Sequence, residues 1–153
     1  MNLLTYGNLC TRFLQGYDSV AMKVDLELGG SDQTFNMLAG RQLVKDYLSK
    51  EKYVMTTPLL TDSSGRKIGK TEGNVIALND TAPELYAKIL SLGDDVIVKG
   101  MEYLTDLSVD EIKKVEQKIS SGENPMQFKK QLAFEIVKQL HSEEGAVSAQ
   151  GNF

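Results

Sequence analysis

The chain has 153 residues, 41% of them apolar, and a formal net charge of −4. That length and composition exclude a disordered chain and allow one domain, or two small ones, with a buried core; the mild acidity argues against a protein built to coat nucleic acid. One cysteine, Cys10, and one histidine, His141, exclude an internal disulfide, a cysteine metal cluster and any centre needing two imidazoles, and no protein metal ligand is evident.

Residues 2–22 read as a helix, with Leu14, Tyr17, Val20 and Ala21 at helical spacing. Residues 24–28 alternate as a short strand that ends at Gly29-Gly30. Asp32 is a plausible N-cap for a helix near 33–48, which has Phe35, Leu38, Leu43 and Tyr47 for its buried face. Residues 53–60 read as a second strand closing near Pro58, so a βαβ unit is the economical reading. Residues 61–74 are turn-rich and nearly devoid of apolar side chains beyond Ile68, which predicts a mobile loop. The remainder is helical: capping boxes at Thr81–Glu84 and Ser108–Glu111, then Asn124-Pro125 before a helix with Phe128, Leu132, Ile136, Val137 and Leu140 on one face. The fold class expected is α/β followed by all-α. Residues 1–79 carry nine cations and eight anions, and residues 80–153 carry eight and thirteen. The N-terminus lacks the features of a secretory signal and no apolar run reaches the roughly 20 residues of a membrane span, so a reducing cytoplasmic setting and no membrane partner are expected.

Three constellations carry chemistry. Gly29-Gly30-Ser31-Asp32-Gln33 ends a strand and opens a helix, where free N–H groups and the helix dipole favour a phosphate and Asp32 can accept from ribose hydroxyls; alone it reads as well as a tight turn capped by Asp32. Lys67 and Lys70, with Gly69 between them and Thr71 after, can fold round a polyphosphate, although a solvated charged turn has the same composition. Their spacing is not that of a P-loop. Gln15 and Asp18 stand at i, i+3 on one face of the first helix, as a polar surface pair or as part of a site.

Taken in order, Gln15-Gly16-Tyr17-Asp18, the Gly29–Gln33 run with Asn36, and Lys67–Thr71 after the segment 56–61 resemble the tyrosyl-tRNA synthetase family. The resemblance runs from about residue 12 to the C-terminus. The lysine loop is similar to the class I K-M-S-K-S signature, in a variant with Gly and Thr; the tryptophanyl enzymes share that loop but not the other two elements. The resemblance implies that residues 1–79 are the second half of a Rossmann-like catalytic domain, and that 80–153 are the α-helical anticodon-side domain. It implies that Asp18 accepts from the substrate phenol, that Gln15 faces the amino group and that Gln33 lies near the carboxylate. Gly29, Gly30 and Asp32 would meet the adenosine ribose, and Lys67, Lys70 and Thr71 the departing pyrophosphate. Tyrosine, ATP with Mg²⁺ on its phosphates, and tRNA(Tyr) are the implied substrates, and family members are usually homodimers.

Two departures stand out. Thr11 occupies the position where the family usually has a tyrosine, and no H-x-G-H element exists, since His141 is far along the chain. The chain is therefore expected to be a part of a tyrosine–tRNA ligase, inactive alone. The alternatives are half of a split enzyme, or a non-catalytic RNA- or protein-binding module. Lys113, Lys114 and Lys118 are candidates for RNA phosphates, but a solvated helix face fits them better.

Overall fold

The structure, a computed structural model, describes residues 3–68 and 76–153, with side chains from residue 9 onward. The chain divides into two compact units, Met1–Leu59 and Leu60–Phe153.

In the first unit, helix α1 (Leu3–Ala21) runs into Lys23, which adopts a left-handed conformation at φ 54°. Lys50 Nζ donates to the Lys23 carbonyl at 3.1 Å and pairs with Asp25 at 2.6 Å, which secures that turn. The Val24 N–H donates to the Ser19 carbonyl, and the Asp25 carbonyl accepts from Tyr53 N–H. Strand β1 is consequently Leu26–Gly30, two residues later than the sequence pattern suggests. Gly29 and Gly30 lie within the ladder, paired with Thr56 and Thr57 of strand β2 (Tyr53–Thr57), rather than in a turn beyond it. β2 stops before Pro58, which has no N–H to extend the pairing. The two strands are parallel and joined by helix α2 (Thr34–Leu48), the expected βαβ arrangement.

One 3-10 turn, Ser31–Gln33, precedes α2, so the N-cap position falls to Gln33 and the cap expected of Asp32 does not form. Asp32 sits one residue before the N-cap position of α2, inside the 3-10 turn, and its carboxylate accepts from Gln33 Nε2 at 3.1 Å.

The buried faces also differ from those expected. Of Leu14, Tyr17, Val20 and Ala21, only Val20 is buried; Phe35 and Tyr47 are exposed and Leu43 is half-buried. The helices instead meet through Gly16, Ser19 and Val20 on α1 and Met37, Gly40 and Val44 on α2. A Cβ on Gly16 would lie 3.3 Å from Gly40 Cα and 2.8 Å from Leu43 Cδ1. Apolar periodicity cannot register such a crossing, because small residues rather than large ones mark it.

Among the described residues of the first unit, nothing covers one face of the sheet. Leu26 stands beside Tyr53 and Leu28 beside Met55, and all four are at least half exposed. Parallel sheets are ordinarily covered on both faces, and two strands alone make a marginal sheet.

The second unit begins with a short hairpin, Thr61 bridging Lys67 in antiparallel fashion. Asp62 Oδ1 accepts from the N–H groups of Ser64 and Arg66, both at 2.9 Å, and from Ser64 Oγ at 2.7 Å. Gly65 supplies the positive φ, 82°, that the turn needs. Residues 61–68 thus carry a defined hydrogen-bonded turn at the turn residues expected of the loop; residues 69–75 lie outside the described residues.

Helices α3 (Ala82–Leu90), α4 (Ile97–Leu104), α5 (Val109–Ser120), α6 (Pro125–Leu140) and α7 (Glu143–Gln150) complete it. Both expected capping boxes form: Glu84 accepts from the Thr81 N–H at 3.0 Å, and Ser108 and Glu111 exchange bonds at 2.9 and 3.3 Å. The core is built on Leu85, Ile89, Met101, Leu132 and Val137, with Tyr86 buried and stacked on Phe153 at 5.7 Å. The expected α6 face holds for Phe128, Leu132, Ile136 and Val137, while Leu140 at its end is 42% exposed.

Candidate functional site

The polar residues of the first unit form one connected array. Lys52, just ahead of β2, has a side chain with no solvent exposure. Its ammonium donates to Ser19 Oγ at 2.7 Å and pairs with Glu27 of β1. The opposite Glu27 oxygen accepts from Gln15 Nε2 at 3.0 Å, and Ser19 Oγ donates to Glu27 at 3.3 Å. Burial pushes the Glu27 carboxyl upward, but the hydrogen bonds from Lys52, Gln15 and Ser19, with the charge of Lys52, outweigh it and hold the group below its usual range.

From Gln15 the array continues toward the strand end. Asn36 Nδ2 donates to Gln15 Oε1 at 3.3 Å and to Gln33 Oε1 at 3.2 Å, and Gln33 Nε2 donates in turn to Asp32. Strand β1, the 3-10 turn and the start of α2 therefore bring Gln15, Gln33 and Asp32 into a single hydrogen-bonded set. Gln15 and Gln33 are half-buried, so the set combines fixed amides with an open side. Amide oxygens and a carboxylate at one rim suit a ligand rich in donors, such as an ammonium or ribose hydroxyls.

Asp18 is on α1 as expected but stands apart: it is exposed and outside the array. Leu14 and Tyr17 beside it are more than half exposed too, so this stretch of α1 is open. Gly29 and Gly30 have a packing reason to be glycine. A Cβ at 29 would approach Met37 Sδ to 3.0 Å, and one at 30 would approach Leu59 to 2.8 Å and Asp32 Oδ1 to 2.7 Å.

In the second unit, Lys67 is exposed at the base of the hairpin, while Lys70 and Thr71 lie outside the described residues. The Asp62 carboxyl is held below its usual range by the Ser64 hydroxyl and then by the Arg66 backbone. A cavity of about 590 Å³ is lined mainly by apolar side chains, among them Leu60, Ile76, Leu85, Leu104 and Leu132. Lys67, the candidate site residue described in this unit, does not line it.

Sequence patterning overlooked Glu27, Lys52 and Ser19. Within residues 24–28 the leucines pass for the inward face, whereas here Leu26 and Leu28 point out and Glu27 points to α1. A charge midway along a strand opposite two leucines was the available signal.

Residues 2–153 match the family described as "tRNA synthetases class I (W and Y)", and the chain belongs to that family. Within it, the curated relatives it resembles are tyrosine–tRNA ligases. Those of Thermotoga maritima and Geobacter metallireducens are each 43% identical, over 141 and 142 residues. The matches cover 91% and 92% of this chain but 35% of each relative, so the chain spans about a third of their length. Among solved structures, a C-terminally truncated mitochondrial tyrosyl-tRNA synthetase of Coccidioides posadasii aligns with TM-score 0.67 at 23% identity, covering 94% of this chain and 44% of that one. The tyrosyl-tRNA synthetase of Archaeoglobus fulgidus, complexed with L-tyrosine, aligns at 0.62 with 20% identity over 92% of this chain and 51% of that one. A tryptophanyl-tRNA synthetase of Encephalitozoon cuniculi gives 0.57 at 20% identity, covering 82% and 37%. At these identities the structural matches show the class I fold: an α/β portion followed by helices.

Proposed function

We propose that this chain is the part of a tyrosine–tRNA ligase that carries its tyrosine-recognising residues and its lysine loop. The observation that carries the reading is the hydrogen-bonded set Gln15–Asn36–Gln33–Asp32, found in a chain 43% identical to tyrosine–tRNA ligases. In this reading Gln15 receives the tyrosine ammonium, Gln33 lies by the carboxylate, and Asp18 accepts from the phenol. Gly29, Gly30 and Asp32 meet the ribose of ATP, which enters with Mg²⁺ on its phosphates. Lys67, Lys70 and Thr71 draw charge from the pyrophosphate as it leaves.

A tyrosine carboxylate oxygen attacks the α-phosphorus of ATP, and the bond to the β-phosphate breaks. A hydroxyl of the terminal tRNA ribose then attacks the acyl carbon, and AMP departs. No enzyme nucleophile is needed; positioning and electrostatic stabilisation of the transferring phosphate supply the rate. Residues 1–79 serve the catalytic domain and 80–153 the anticodon-side helices, in a cytoplasmic setting.

The uncovered sheet face favours a second reading, in which a separate chain completes the enzyme as the other half of a split ligase. Leu26, Leu28, Tyr53 and Met55 would then be its docking surface. ATP–pyrophosphate exchange tests both readings. The chain alone should show none. Adding a polypeptide that spans the preceding part of the Thermotoga maritima ligase should restore tyrosine-dependent exchange. Salt-sensitive tRNA binding with no uptake of tyrosine or ATP would instead mark a non-catalytic binding module.

A further inference from the structure

We propose that Lys52 and Glu27 are positioning residues: together they fix which end of the Gln15 side chain faces the candidate site, so that its oxygen rather than its NH₂ group is offered to an ammonium-bearing ligand. The inference rests on the reading of Gln15 as the contact for the tyrosine amino group.

An amide side chain has an acceptor end and a donor end of nearly equal shape, so packing alone does not choose between them. An ionised carboxylate does choose, because it only accepts. Glu27 takes a hydrogen from Gln15 Nε2 at 3.0 Å, which turns Oε1 away from β1 and toward Asn36. That oxygen has two lone pairs, and the long bond from Asn36, 3.3 Å, uses one of them. Were Glu27 neutral, its hydroxyl could donate to Gln15 Oε1 and the amide would turn over. The NH₂ group would then face the ligand, and an ammonium would be repelled.

Lys52 keeps Glu27 ionised. It reaches Glu27 because the helices leave it a passage: a Cβ on Gly40 would stand 2.8 Å from Lys52 Nζ and 3.2 Å from Ser19 Oγ. The groups facing Glu27 are then Lys52 from the lead into β2, and the neutral Gln15 and Ser19 from α1. The orientation passes onward. Asn36 Nδ2 donates to both glutamine oxygens, so Gln33 also has its Oε1 turned inward and its Nε2 on Asp32. The three amide side chains, Gln15, Asn36 and Gln33, thus take their orientation from one ion pair whose lysine is buried.

The first test is the side-chain amide resonances of Gln15 and Asn36 in the wild-type chain as pH is lowered. Both should hold steady above pH 5 and move together in one step below the ordinary glutamate value of about 4.3. The step should vanish in Glu27→Gln, and in the Lys52→Met/Glu27→Gln double variant if the single variant folds poorly. Resonances that do not titrate in the wild-type chain would overturn the proposal. The second test uses the complemented exchange assay. Glu27→Gln should raise the KM for tyrosine about tenfold with kcat within about threefold, the pattern of a lost hydrogen bond to a charged group. Inhibition by 3-(4-hydroxyphenyl)propionate, which lacks the amino group, should be unchanged. Equal losses for both compounds would mean that Glu27 only packs the site, and would overturn the proposal. If the complemented wild-type chain catalyses no exchange, the tyrosine reading falls, and the amide titration still decides the positioning role.

Discussion

Breaking the Lys52–Glu27 pair from its two ends should have unequal costs. Glu27→Gln leaves a side chain with no solvent exposure carrying an ammonium whose remaining acceptors, Ser19 Oγ and the new amide oxygen, are uncharged. Removing one partner of a buried ion pair costs about 3–5 kcal/mol, and with neutral acceptors still in reach the expected loss is about 3–4 kcal/mol. Lys52→Met leaves a carboxylate that is 20% exposed and still bonded by Gln15 and Ser19, and partial hydration brings the expected loss to about 1.5–2.5 kcal/mol. The double variant removes both charges and should be more stable than Glu27→Gln alone. Native-state hydrogen exchange of the Met37 and Val44 amides reads the first unit without interference from the second. Losses that add to within about 0.5 kcal/mol, or a larger cost for Lys52→Met, would refute the reasoning.

Because the Glu27 carboxyl is held low in the folded state, its contribution is full above the unfolded value near 4.3 and is lost as pH falls through the lowered one; protection of the first unit should therefore drop on acidification, and Glu27→Gln should flatten that drop. Gly40→Ala places a methyl against Lys52 Nζ and the Gly16 backbone, and should cost about 1–3 kcal/mol by the same exchange measurement, whereas Gly65→Ser, with open space about it, should not affect the first unit. Leu28→Glu, at a position 62% exposed, should change the stability of the isolated chain by less than about 0.5 kcal/mol but abolish complementation in the exchange assay; full complementation would show that this face is not the docking surface. Ser108→Ala removes the α5 cap and should cost about 1 kcal/mol in protection of α5 alone.

Much of the fold could be read from local chemistry. Thr81, Ser108 and Asn124 announce three helices by hydrogen bonds that close within a few residues, and those signals survive any tertiary context. The βαβ unit was legible from patterning instead, two short apolar runs flanking a helical stretch. What was not legible depended on closeness between distant segments. The crossing of α1 and α2 is set by Gly16 and Gly40, which carry no hydrophobic signal, and the apolar residues that dominate the periodicity, Leu14, Phe35 and Tyr47, are exposed here. The residues proposed to touch ligand were found by motif. The ion pair beneath them was missed, because Lys52 and Glu27 are 25 residues apart and each reads singly as solvated charge. The hairpin at Thr61–Lys67 was missed because Asp62 organises it through bonds to backbone N–H groups, which composition does not reveal.

The most direct test of the central reading is the choice between tyrosine and phenylalanine in the complemented exchange reaction. A site that accepts a hydrogen bond from a substrate hydroxyl rejects the analogue lacking it by orders of magnitude, and the tyrosine enzymes are the standard example. The wild-type chain should impose that preference on kcat/KM, and Asp18→Ala, in a chain whose Asp18 is exposed and outside the array, should erase most of it while leaving the fold intact. A preference that survives Asp18→Ala undiminished, or a complemented enzyme that never discriminates, would contradict the account.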